Sequence, residues 1–515
     1  MKCPNFVLIC TDQQRSDSLG CYGNRFARTP NIDSIARAGA RFERHITPMQ
    51  ICSPSRATLV TGLYPRHHGL TVNGIALSEE ASTLPSALSA NGYRTHGVGK
   101  QHLQPLLAPA DRNMPDSRAF WKSPQSRDWN GPYYGYQTVD LLLGESDTAH
   151  LAGHYANWLE TVAPGEWRKL LPESASGPVP EDLDEIWQSA MPVELHYNTW
   201  IGDRAVAFLD SMAARNDDGG QPFFLFVSYP DPHHPFDPPS DYAVRYDPQA
   251  MPSPQVANGE RERIPPYCGE LYPHSGSFRE SYWAADEGLE AGALLLTDRM
   301  SQSSLQKAIA YTYAMVEMIY DGVGRILGAL SDNGLTEDTV VAFTSDHGEY
   351  LGDHGILHKG PASYRQVTEV SMLMKGPGIV PGTRVGALTG HVDIAPTVLD
   401  LAGLRHAMPA GDGESLGPLL EGRSTGFREF NFGEYHPTVR KDLYNQTVQT
   451  EKWRLTRYPE HPEWGELFDL ETDPGEHFNL FPSRAAAPLV KDLSAILDER
   501  FPPEPDAGNE VICKW

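Results

Sequence analysis

The chain has 515 residues, 40% of them hydrophobic, and its 67 acidic against 42 basic residues give a net charge of −25. That length calls for more than one small core, and that charge excludes nucleic acid and anionic membrane surfaces as expected partners. Any site for an anionic ligand must therefore gather its own Lys, Arg, His or metal.

Phe6 to Thr11 predicts a buried first strand. Its apolar run is too short for a secretory core of about 7–15 residues or a spanning helix of about 20. The six cysteines (3, 10, 21, 52, 268 and 513) show no framework spacing. Free thiols in a reducing cytoplasm are expected. Ile32 to Ala40 predicts a helix. Another opens at Cys52, with Ser53 placed to cap it and Pro54 at its first position. Leu84 to Asn91 predicts a helix that ends at Gly92, and Tyr93 to Val98 a strand. Trp200 to Ala214 is helical, and Pro222 to Ser228 is apolar enough for a strand buried on both faces. Ser303 to Leu330 is the longest helix, with Ile309, Tyr313, Val316, Ile319, Val323, Ile326 and Leu330 along one face. Asn333-Gly334 stops it. Strands at Thr339 to Thr344 and Val370 to Met374 and a helix at Ile394 to Leu401 follow.

This alternation predicts an α/β fold, a large mainly parallel sheet sandwiched by helices, over residues 1–424. Residues 425–515 change character: 430–435, 444–458 and 465–470 predict a smaller antiparallel sheet, with a closing helix at 485–501 and a tail. Two irregular stretches, 104–198 and 236–302, are rich in Pro, Asp and aromatic residues. They are expected to cap a site or to decorate the periphery or a subunit contact.

Ligands gather at the carboxyl ends of strands in open α/β sheets, and each polar cluster follows a predicted strand. Asp12-Gln13 follows the first, and Asp346-His347 follows Thr339 to Thr344. Together they offer two carboxylates, an amide oxygen and an imidazole to a divalent metal. Arg56, four residues after Cys52, faces the same side of a helix N-terminus, where anions bind. A packing cysteine beside a solvated arginine gives the same pattern, as does an activated thiolate. The C-x3-R spacing differs from the C-x5-R loop of cysteine phosphatases. Gly99-Lys100-Gln101-His102 closes a third strand. Asp231-Pro232-His233-His234-Pro235 follows the doubly buried one, and His358-Lys359-Gly360 lies downstream of Asp346. Asn73 lies close behind the Cys52 helix. Asp353-His354 is assigned to structure.

Cys52-Ser53-Pro54-Ser55-Arg56, then Gly62, resembles the sulfatase signature C-x-P-S-R. Gly92 to His102 resembles the second signature of that family, G-Y-x-T-x-x-x-G-K-x-H. Residues 232–235 are similar to its P-H-x-P loop, and Glu466 to Leu470 with Asn479-Leu480 to its C-terminal signature. The resemblance spans about residues 5 to 480 and implies an alkaline phosphatase-like fold akin to bacterial arylsulfatases. It implies oxidation of Cys52 to formylglycine by a formylglycine-generating enzyme, and hydrolysis of sulfate monoesters by the hydrated aldehyde. Lys100, Lys359 and Arg56 would neutralise the sulfate oxygens. His233 or Lys359 would protonate the leaving group, His102 would act as base, and Asn73 could touch the ester. Asp12, Gln13, residue 52, Asp346 and His347 would hold the metal. Many members carry Asp-Asp and Asp-Asn for calcium. Gln13 and His347 depart from that set and leave Ca²⁺ or Mn²⁺ open.

Three alternatives compete. A phosphonate monoester or phosphodiester hydrolase of the same superfamily shares the Gln/His metal set but tends to lack the Gly-Lys-x-His motif. A two-metal phosphatase would carry Ser or Thr at position 52. A non-catalytic sulfate- or glycan-binding protein would keep Cys52 unmodified. The ester itself (aryl, alkyl, choline or sugar sulfate) stays open. So does a homo-oligomer, for which exchange of the tail after Pro502 is one route.

Overall fold

The apolar N-terminal run forms β1 (Asn5–Thr11), buried at every position because helices cover both faces of its sheet. The computed structural model describes residues 3–215, 220–260, 262–266, 295–438, 440–501 and 510–513. The central part of the second irregular stretch and most of the tail after Pro502 lie outside the described residues.

β1 sits in an eight-stranded sheet with β2 (Ala40–Phe42), β3 (Arg94–Gly99), β4 (Thr138–Leu141), β5 (Phe223–Ser228), β6 (Thr339–Ser345), β7 (Met372–Lys375) and β8 (Thr383–Val385). Their spatial order is β8-β2-β7-β6-β1-β5-β3-β4. β7 runs antiparallel to β6 and β2, and the other pairings are parallel.

Successive residues of each central strand point to opposite faces. Phe6, Leu8, Phe224, Phe226, Val340 and Ala342 pack with α2 (Cys52–Thr61), α3 (Leu84–Ala90) and α6 (Ile394–Leu401). Val7, Ile9, Leu225, Val227, Val341 and Phe343 pack with α1 (Pro30–Ala38), α4 (Tyr197–Ala214) and α5 (Gln302–Asp332). The stripe on α5 expected from spacing is buried: Val316, Ile319, Val323 and Ile326 belong to that second layer.

Parallel register brings the strand ends level. Cys10 pairs with both Ser228 and Thr344, Thr11 with Ser345, and Gly99 with Ser228. The first residues beyond three of these strands are Asp12, Lys100 and Asp346, so they lie in one row. Gly99 makes the close approach there. Its φ is +87°, and a Cβ would stand 1.9 Å from the Ser228 carbonyl oxygen.

A second, four-stranded antiparallel sheet contains β9 (Asn431–Tyr435), β10 (Asn445–Gln449), β11 (Trp453–Arg457) and β12 (Gly465–Asp469) in chain order. Leu493 and Leu497 of α7 (Ala487–Arg500) pack on Val448, Leu455 and Leu467. Asn479 bonds the start of β12, accepting from the Leu467 N–H at 3.0 Å and donating to the Gly465 carbonyl at 2.9 Å.

Three local expectations need correction. α1 starts at Pro30 and ends before Gly39, which frees Ala40 for β2. α2 starts at Cys52 itself, so Ile51 occupies the cap position and Pro54 the third helical one. No side chain caps it there. The stretch 104–198 is not irregular throughout: it contributes β4 to the sheet edge and a helix at Gly153–Val162.

Gly99→Ala should lower stability by about 1–3 kcal/mol more than Gly23→Ala. Gly23 has a similar φ of +103° but nothing within 4 Å of its Cβ position. Urea unfolding midpoints of the two variants check this, and equal losses would contradict the close-approach account.

Candidate active site

Arg56 is 1% exposed, and its guanidinium spans four adjacent strand ends. Nε donates to Asp346 Oδ2 at 2.9 Å, and Nη2 to Asp12 Oδ2 at 3.1 Å. Nη1 donates to the Lys100 carbonyl and to Ser228 Oγ, each at 2.7 Å. Four of its five N–H hydrogens go to these partners, and Arg56 is not among the residues that line the pocket. The structure places the Arg56 guanidinium against the Asp12 and Asp346 carboxylates, which it holds.

The ligand atoms of Asp12, Cys52, Asp346 and His347 all lie within 4.8 Å of one another, and all four residues are buried. His347 Nδ1 faces the Gly348 carbonyl at 2.9 Å. In the neutral ring a proton on Nδ1 would bond there and leave the Nε2 lone pair for a cation. Gln13 completes the set. Its backbone N–H donates to Asp346 Oδ1 at 3.0 Å. Its side-chain amide nitrogen is taken by His234 Nδ1 at 2.9 Å and by Glu349 Oε2. Both amide hydrogens are thereby assigned, and the buried Oε1 is left without a hydrogen-bond partner. A buried amide oxygen with nothing to accept from suits a cation. These residues fit a divalent metal.

Cys52 Sγ lies 3.1 Å from Lys359 Nζ, 3.3 Å from His347 Nε2 and 3.6 Å from Asp12 Oδ1. Burial by itself would raise the thiol, but Lys359, Lys100 and His347 outweigh it and hold it well below its ordinary range. His102 also helps to lower it. Lys359 Nζ also lies 3.1 Å from His233 Nε2 and 3.2 Å from His347 Nε2. Lys100 Nζ pairs with Asp12 at 2.8 Å and Glu145 at 3.0 Å. Burial disfavours that ammonium, yet the two carboxylates keep it charged, with its pKa above the ordinary lysine range. Asn73 Oδ1 accepts from the Ser53 N–H at 3.2 Å, satisfying one donor at the start of α2.

Above these groups opens a pocket. Cys52, Asn73, Lys100, His102, His233 and Lys359 form its floor and polar side, and Leu106, Leu107, Leu142 and Leu143 its apolar wall. Seven segments remote in sequence thus deliver Asp12-Gln13, Cys52, Asn73, Lys100-His102, His233, Asp346-His347 and Lys359 to one place. Asp353 and His354 are elsewhere engaged, with Arg15 at 2.8 Å and with Glu260.

Sequence reasoning missed several residues. His234, left without a role by the P-H-x-P match, holds Gln13 together with Glu349. Its ring stacks on His358 at 3.6 Å, which in turn pairs with Glu185 at 2.9 Å. Glu145 enters the pocket from the stretch 104–198, where no motif or period marks it. The only advance signal was the length of that stretch without regular structure.

The sulfatase family model matches residues 4–404, and that of the C-terminal part of N-sulphoglucosamine sulphohydrolase matches residues 352–501. The chain is 29% identical to an arylsulfatase of Clostridium perfringens, over 96% of this chain and 93% of the relative. It is 28% identical to a multifunctional alkaline phosphatase superfamily protein of Trinickia caryophylli, over 95% and 93% of the two chains. Among solved structures, the phosphonate monoester hydrolase of Agrobacterium radiobacter aligns with a TM-score of 0.74 and 25% identity, covering 96% of this chain and 95% of that one.

Arg56→Ala should destabilise the metal-free protein by about 3–5 kcal/mol, because it strands two buried carboxylates. Arg56→Lys should recover less than half of that loss, since one ammonium cannot reach four strand ends. Urea unfolding in EDTA measures both, and a full rescue by lysine would contradict the clamp. His234→Phe keeps a ring against His358 but removes the acceptor for Gln13. Calorimetric titration should show divalent-metal affinity about 10–100-fold weaker, and unchanged affinity would exclude Gln13 as a ligand.

Proposed function

The chain belongs to the sulfatase family and hydrolyses sulfate esters, and we propose that it acts on sulfate monoesters of apolar alcohols or phenols through residue 52. The observation that carries this reading is Cys52, ringed by Lys359, His347 and Asp12 at the floor of a leucine-walled pocket. Family membership implies formylglycine at a residue of this kind and a divalent metal. When bound, the metal supplies a Lewis acid beside the hydrated aldehyde and the ester oxygens. Asp12, Gln13, Asp346 and His347 would hold it. The His347 imidazole and the neutral Gln13 favour Mn²⁺ relative to Ca²⁺.

The chain's own residues do the rest. Lys359 and Lys100 bring two ammonium groups to the ester and stabilise the charge on its nonbridging oxygens. The N-terminus of α2 adds the positive end of its helix dipole on the same side. Asn73, its carbonyl end held by Ser53, can turn its amide hydrogens to the ester. His233 Nδ1 faces the His234 carbonyl, so its Nε2 faces Lys359. From there the pair passes a proton to the leaving oxygen. His102, which lines the same pocket as residue 52, takes a proton from it as base. The four leucines exclude water and contact the leaving group, and they offer no donors to a sugar.

The likeness to a phosphonate monoester hydrolase supports a second activity on phosphonate monoesters. Lys100 and His102 support sulfate as the better substrate. The same reading divides the chain into a catalytic region, 1–424, and a C-terminal subdomain, 425–515. It includes a formylglycine-generating enzyme as partner during maturation. No helix among the described residues is long and apolar enough to cross a membrane. Cys3, Cys10, Cys21 and Cys52 are free thiols, which supports a reducing compartment such as the cytoplasm.

Cys52→Ala should bind divalent metal, unfold at nearly the parent temperature, and lose at least about a thousandfold in kcat on an aryl sulfate. Retained turnover would refute the role of residue 52. In the parent enzyme, kcat/KM for phenyl sulfate should exceed that for phenyl phosphonate, and the reverse order would favour the second reading.

A further inference from the structure

Glu145 is a charge of the wrong sign for a pocket that receives an anion. Its carboxylate lines the pocket with Cys52, Lys100 and Lys359, and its side chain is 13% exposed. Oε2 is 3.0 Å from Lys100 Nζ, and Oε1 is 3.9 Å from His233 Nδ1. Lys100 does not need it as a counter-ion, because Asp12 already pairs with that ammonium at 2.8 Å. Burial favours the protonated acid, but Lys100 and His233 outweigh burial, so the group is ionised at neutral pH. Nor is it mobile. The Glu145 N–H donates to Thr148 Oγ1 at 3.2 Å, and its carbonyl accepts from Thr148 Oγ1 at 2.8 Å and from the Thr148 N–H at 2.9 Å. A fixed negative charge beside one of the two ester-facing lysines leaves the pocket less positive than the lysines alone would make it.

We propose that Glu145 is a specificity-determining residue that restricts the pocket to singly charged esters and turns away dianionic phosphate monoesters. The proposal rests on the function above and adds to it a rule of charge. A sulfate monoester carries one negative charge, as do a phosphonate monoester and a phosphodiester. A phosphate monoester has nearly the same shape but, well above its second pKa near 6, carries two. The extra charge would lie a few ångströms from the Glu145 carboxylate in a mostly buried site. There, repulsion of like charges is large enough to change binding tenfold or more. Apolar walls cannot make that distinction, because all these esters can share one leaving group.

The test uses three esters of 4-nitrophenol with the metal-loaded, formylglycine-bearing enzyme at about pH 8, where only the phosphate monoester is a dianion. They are 4-nitrophenyl sulfate, methyl 4-nitrophenyl phosphate and 4-nitrophenyl phosphate. In Glu145→Gln, kcat/KM for the phosphate monoester relative to the sulfate should rise at least about tenfold, while the ratio of the two monoanions stays within about twofold. A general loss of activity cancels in these ratios. Glu145→Ala, which also removes the contact with Lys100, should shift the first ratio in the same direction. If neither variant shifts it, the proposal is overturned and Glu145 only positions Lys100. If the parent enzyme hydrolyses none of the three esters, the functional reading fails and this proposal falls with it.

Discussion

One buried guanidinium organises the catalytic end of this molecule. Arg56 cannot shed its charge, so burying it requires acceptors, and the sheet supplies them from β6, β1, β5 and β3 in spatial order. The dependence is mutual, because Asp12 and Asp346 are two fully buried carboxylates that would repel each other without it. Parallel register sets the strand ends level, and the fork geometry of arginine joins them. Cys52 lies one turn before Arg56 on α2. Locking the guanidinium to the sheet therefore fixes where the side chain of residue 52 emerges.

That arrangement also explains how a chain of net charge −25 builds a site for an anion. Positive charge is concentrated locally, in Lys100, Lys359 and the start of α2, and each lysine is held by more than one partner. The acidic groups divide by depth. Asp12 and Asp346 lie beneath Cys52 with Gln13 and His347, where a cation would neutralise them. Two carboxylates line the substrate pocket: Asp116, which accepts from Tyr133 and the Leu103 and Gln104 N–H groups, and Glu145, which faces Lys100.

Much of this was legible in the sequence, for identifiable reasons. The strands that carry the site are apolar at every position, so their ends were easy to find, and the polar residues just beyond them stood out. Asp12, Lys100, His102, His233 and Asp346 stood out that way, whereas Cys52 and Lys359 stood out through motif resemblance. The role of Arg56 was not, because helical spacing tells which side of α2 it faces and not what stands opposite. A proline at the third helical position looks much like one at the first, so the start of α2 was misjudged. β2, β4 and β8, of three or four residues each, carry too short a pattern to show period two. His234 was passed over because its function is to orient another side chain, and Glu145 because it sits on a loop without periodicity.

The central claim is that residue 52 is a precursor whose thiol is replaced before it meets substrate. Mass spectrometry of the peptide spanning Cys52 tests it most directly. The protein would be produced with and without an active formylglycine-generating enzyme, and hydrolysis of an aryl sulfate measured on the same samples. The account predicts an aldehyde at residue 52 only in the first preparation, with activity proportional to the fraction converted. Full activity from protein whose Cys52 is an intact thiol would contradict it.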